Sequence, residues 1–161
     1  MLTFIPTPDL TSRGTPRIRR RKNKIPCVKV GGDGAPPGWE DVDLGAAKAA
    51  GAAIQTAYQR ALGQGLNSYE IGPLHEIIER SKGRCELTGI KFSSRVIGMP
   101  QKRPFIPSVD RIEPREPYTF QDCRLVCWIV NMVRNEWGDE VFWEMVRAAY
   151  EHCQASTGSG Q

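Results

Sequence analysis

The sequence predicts an α+β fold: a small unit of hairpin, short strand and helix, flanked by additional helices and preceded by a flexible basic arm. Three observations carry this expectation. The segments Arg84–Phe92 and Ser108–Ile112 are short and rich in β-formers or turn residues, which suits strands. The segments around them, "LGAAKAAGAAIQTAYQRAL" and "EVFWEMVRAAYEHC", are long and helical in composition and spacing. The first 43 residues are rich in proline, glycine and basic residues, a composition that resists packing.

Taken in order, residues 1–43 form the arm. Between Leu10 and Gly32 there is no acid, while Arg13, Arg17, Arg19, Arg20, Arg21, Lys22, Lys24 and Lys29 crowd the span. Charge this dense stays in water and attracts polyanions, nucleic acid first, although a merely solubilising tail shares the pattern. "IPCVKV" within it could pair as a strand. Residues 44–82 form a helical segment packed on the core. Asp43 or Asp41 caps the alanine-rich helix, "GQGLN" ends it, and "IGPLHEIIERSKGR" makes a second helix with Pro73 in its first turn. Residues 83–153 form the core proper. "RCELTGIKF" reads as a hairpin turning near Thr88-Gly89, Pro114 and Pro117 frame a turn, and a helix runs from Asp122 or Gln121 to about Trp137. The final helix presents Val141, Phe142, Met145, Val146 and Ala149 on one face, and residues 154–161 read as a disordered tail.

Composition sets bounds on function. The net charge is +4, and no apolar run reaches the roughly 18 residues that a membrane span needs. The N-terminus is too short and proline-broken for a secretion signal. The five cysteines are odd in number and form no disulfide framework, so free thiols in a cytoplasmic setting are expected.

The segment Cys85–Asn131 carries "CELTG", "SVDRI", "PYT" and "CRLVCWIVN" in that order. Together these resemble the ββα-metal core of HNH, or His-Me finger, endonucleases, particularly the HNH-like proteins of phages and bacteria. The resemblance implies a metal-dependent nuclease hydrolysing phosphodiester bonds, most naturally of DNA. It places one divalent ion, Mg²⁺ or Mn²⁺, between Asp110 on the strand and Asn131 on the helix. Where the family carries its general-base histidine, this chain has Arg111, which stays protonated and suits a phosphate clamp better than a base. Tyr118, His75 and His152 are the remaining base candidates. Asp122 stands where the family has a loop-pinning asparagine, and serves as a helix N-cap instead. Many relatives hold structural zinc between two CxxC pairs. Here Thr88 faces Cys85 in the pattern and no fourth ligand accompanies Cys85, Cys123 and Cys127, so the thiols read as small apolar groups.

On a helical wheel at about 100° per residue, Asn131 falls on a polar stripe with Arg124, Arg134 and Asn135, opposite Leu125, Ile129, Met132 and Val133. That stripe is expected to face phosphate, or simply water. Three readings follow: an HNH-like endonuclease; a catalytically impaired HNH-like module that binds DNA or a phage partner; and a structural or regulatory protein using Trp137, Phe142, Trp143 and Tyr150 for homodimer or partner contacts.

Overall fold

The computed structural model describes residues 36–98 and 102–158; the basic run and "IPCVKV" lie outside them. The fold is α+β. The elements are α1 (Leu44–Gly63), α2 (Ser68–Ile71), α3 (Glu76–Ser81), β1 (Pro107–Arg111), β2 (Cys123–Cys127), α4 (Trp128–Arg134) and α5 (Gly138–Gly158). Among the described residues no helix is long and apolar enough to cross a membrane.

The alanines of α1 explain its place. Ala46, Ala47, Ala50, Ala57 and Ala61 are buried with Ile54 along one stripe, and side chains this small let the helix lie close against β1. Asp43 is the N-cap, accepting from the Ala46 amide at 2.9 Å and the Ser94 amide at 2.7 Å. The next helix breaks in two. Asn67 and Glu70 form a capping box that starts α2, and α3 begins only at Glu76, after Gly72 and Pro73.

Residues 36–43, expected as the end of a loose arm, instead complete the core. Trp39 is fully buried, stacks on Phe92 at 5.6 Å and donates its indole N–H to the Ile78 carbonyl at 2.7 Å. This docking needs two glycines back to back. Gly83 has φ of +70°, and a Cβ there would collide with the Gly38 carbonyl oxygen and lie 2.8 Å from Val42 Cγ2. Gly83→Ala is therefore expected to destabilise the fold by about 1–3 kcal/mol, read as a lower urea midpoint at unchanged slope.

Three expectations are corrected. Cys123–Cys127 is a strand rather than the first turns of a helix: it pairs antiparallel with β1, Pro107 opposite Cys127 and Arg111 opposite Cys123. All five of its residues are buried, which suits a strand covered on both faces; a helix there would bury only a stripe. The turn Arg84–Lys91, expected as a hairpin, has a single bridge and is closed by Cys85 N–H to Ile90 and Gly89 N–H to Cys85, both 2.8 Å. The hairpin of this fold is β1–β2, with α4 following directly. The last helix also runs on to Gly158, beyond the expected start of a tail at 154.

Candidate functional site at the β1–β2–α4 junction

Alternation along the strands puts Ser108 and Asp110 on one face of the hairpin with Arg124 and Val126, and Val109 and Arg111 on the other with Cys123 and Leu125. Helix α4 lies on the first face in register with β1. Asn131 Nδ2 donates to Ser108 Oγ at 2.9 Å and to the Val109 carbonyl at 3.1 Å. One turn on, Arg134 Nη1 donates to Asp110 Oδ1 at 3.0 Å. A carbonyl can only accept, so the amide nitrogen of Asn131 faces β1 and its oxygen points away. The two residues expected to share an ion thus lie on adjacent rungs of one helix–strand interface.

Their side chains, however, are committed elsewhere. Asp110 is 4 % exposed, and its other oxygen accepts from Arg124 Nε at 2.9 Å. Arg134 is 1 % exposed and bonds through all three of its nitrogens: besides Asp110 it donates to the carbonyls of Arg111, at 2.9 Å, and Ile112, and to Asp139 at the start of α5. Arg124 closes the ring with a two-pronged contact to Asp139. Two acids and two guanidiniums therefore form one neutral, largely buried network in which every hydrogen bond is charge-assisted.

This arrangement corrects the polar-stripe expectation. Arg124 belongs to β2, and both it and Arg134 are buried, so neither faces phosphate; Asn135 is exposed, ending α4 with φ of +44°. It also bears on the ion implied by the family resemblance. A divalent cation at Asp110 would compete with two guanidiniums for both carboxylate oxygens. In this geometry the residues do not fit that ion.

Electrostatics follow the same contacts. Hydrogen bonds from Arg124, and then Arg134, hold Asp139 down to about 2 against the opposing effect of burial. Burial pushes Asp110 up, opposed by the guanidiniums of Arg134 and Arg124. The signs differ. Asp139 contributes stability above its unfolded value near 3.8, and that contribution disappears as pH falls through about 2; Asp110 works in the opposite sense. Asp43, with burial opposing it and Ser94 the strongest of the bonds lowering it, also sits at about 2, so wild type alone cannot separate the two. The difference between wild type and Asp139→Asn isolates the network. That difference is expected to be full at pH 5–6 and to shrink from about pH 4 to pH 2, measured by urea unfolding across that range.

On the opposite face, Arg111 donates to the Glu116 carbonyl at 2.9 Å and its guanidinium lies 4.8 Å from the Tyr118 ring centroid. Tyr118 accepts from Arg60 Nη1 at 3.0 Å, bringing α1 into this group. Sequence reasoning missed Arg60, since nothing in an alanine-rich helix marks its last arginine as facing β1. His75 precedes α3 and His152 is exposed on α5; no hydrogen bond joins either to Asp110, Arg111 or Tyr118. Asp122 caps no helix. It closes the loop between the strands, its backbone carbonyl accepting from Ile112 at 2.7 Å and its Oδ1 from Glu113 at 2.9 Å. Cys85 and Cys127 are buried and in thiol contact: the Cys127 hydrogen bond holds Cys85 down to about 5, and Cys127 is correspondingly raised. The Thr88 hydroxyl is buried without a hydrogen-bond partner among the described residues, and the turn meets the end of β2 through Cys85 and Cys127.

No protein-family model, curated protein or solved structure matches this chain.

Proposed function

We propose that this chain is a nucleic-acid-binding protein of HNH-like build that engages phosphodiester backbones without cutting them by the single-ion route. The supporting observation is that the Arg134 guanidinium occupies Asp110, the carboxylate that route would need, from within a buried network. The order hairpin-then-helix with Asn131 on α4 supports the HNH-like build. Binding would draw on the basic run Arg17–Lys24 and on Arg111 and Tyr118 at the end of the hairpin. DNA is the first expected partner.

The second reading, a Mg²⁺- or Mn²⁺-dependent endonuclease, is favoured by one observation: Asn131 is held against β1 by its nitrogen alone, leaving its oxygen uncommitted. It requires Arg134 to leave Asp110.

Both readings meet in one experiment. Supercoiled plasmid and a labelled duplex are incubated with the protein in Mg²⁺, Mn²⁺ or EDTA. The expected result is retarded duplex, weakening steeply with salt, and intact plasmid in every buffer. Metal-dependent nicking that disappears in Asp110→Asn would establish the endonuclease instead. Absence of binding at low salt would remove both.

A further inference from the structure

We propose that the cleft between α1 and β1 is a seat for one phosphate group of a nucleic-acid strand, an assignment that rests on the nucleic-acid reading above. The cleft has a volume of about 150 Å³, floored by Ala53 and Ala57 of α1 and edged by Thr56, Arg60, Ser108 and Tyr118. The alanines matter because they leave the space open: larger side chains on that stripe of α1 would fill it.

Its chemistry is one-sided. No carboxylate lines it. Arg60 and Arg111 lie 5.7 and 4.8 Å from the same Tyr118 ring, and among the described residues neither pairs with an acid. Both guanidiniums add positive charge around Tyr118, and an anion seated in the cleft would offset it. The hydroxyl of Tyr118 is set the same way: it accepts from Arg60, so it has its own hydrogen left to donate. Donors without competing acceptors, beside uncompensated positive charge, suit the several acceptor oxygens of a phosphate. A base would gain little: the walls offer no acceptor-and-donor pattern to read, so the seat positions a strand without selecting its sequence.

The test uses the full chain and two variants, Arg60→Ala, which removes an exposed guanidinium, and Ala53→Phe, which fills the cleft. Thermal unfolding is followed in inorganic phosphate against chloride at matched ionic strength. Affinity for a labelled oligonucleotide is followed by anisotropy across salt concentrations. Phosphate is expected to raise the wild-type midpoint and to have no such effect on either variant. Oligonucleotide affinity is expected to fall about tenfold in Arg60→Ala, with the salt slope shrinking by about 1. Oligonucleotide binding that both variants retain at full strength overturns the seat while leaving the nucleic-acid reading standing. Phosphate protection in a wild type that binds no oligonucleotide overturns the strand assignment, leaving a seat for a small phosphorylated molecule.

Discussion

Asp110→Ala is expected to lower the unfolding free energy by about 3–5 kcal/mol, the cost of leaving two buried guanidiniums with one carboxylate between them. Arg134 is the more sensitive, because its side chain is 1 % exposed and cannot turn to water without withdrawing α4 from the hairpin. Both arginines keep Asp139, so the network shrinks rather than vanishes. For a chain of this size the thermal midpoint should fall by roughly 10 °C. An acid that neutralises two buried arginines is missed by the fold whether or not a metal is present. Circular dichroism melts of wild type, Asp110→Ala and Asp110→Asn make the comparison, and both variants should be well below wild type in EDTA.

Trp39→Ala is expected to cost a similar amount, about 3–5 kcal/mol, through a cavity at the centre of the core and the loss of the buried indole hydrogen bond to Ile78. Its effect should be less local than its position suggests. Trp39 ties residues 36–43 to the end of α3 and to Phe92, and Asp43, which caps α1, follows four residues later. Loss of the indole should therefore loosen the start of α1 as well. Hydrogen exchange at Ala46 and Ala47 checks this: both amides should lose protection beyond the global change. A purely local cavity would leave their relative protection as it was.

Much of the scaffold could be read from the sequence because its local signals are strong. The alanine stripe and Asp43 marked α1, the short segment Ser108–Ile112 with its β-branched residues marked β1, and Pro114 and Pro117 marked the connection. "CRLVC" misled because five apolar-rich residues running into "WIVNM" satisfy a helical period as well as a strand's, and only pairing with β1 decides between them. The burial of Arg124 and Arg134 was hidden for another reason: an arginine reads as surface until its acid is known, and Asp110 and Asp139 lie 24 and 5 residues from Arg134. Four arginines and three aspartates lie between 110 and 139, and nothing in the sequence says which of them pair. Trp39 was obscured by its surroundings, since prolines and glycines on either side read as arm. An isolated tryptophan in such a stretch marks a docking point.

Manganese titration followed by NMR tests most directly whether Arg134 holds the place at Asp110 that a divalent ion would take. The amides of Asp110, Arg111 and Asn131 are observed as Mn²⁺ is added to the metal-free protein. With the guanidinium bonded to the carboxylate, these signals are expected to broaden no more than those of exposed acidic residues elsewhere, such as Glu140 and Glu151. Selective loss of the three at low Mn²⁺, absent in Asp110→Asn, would contradict the account.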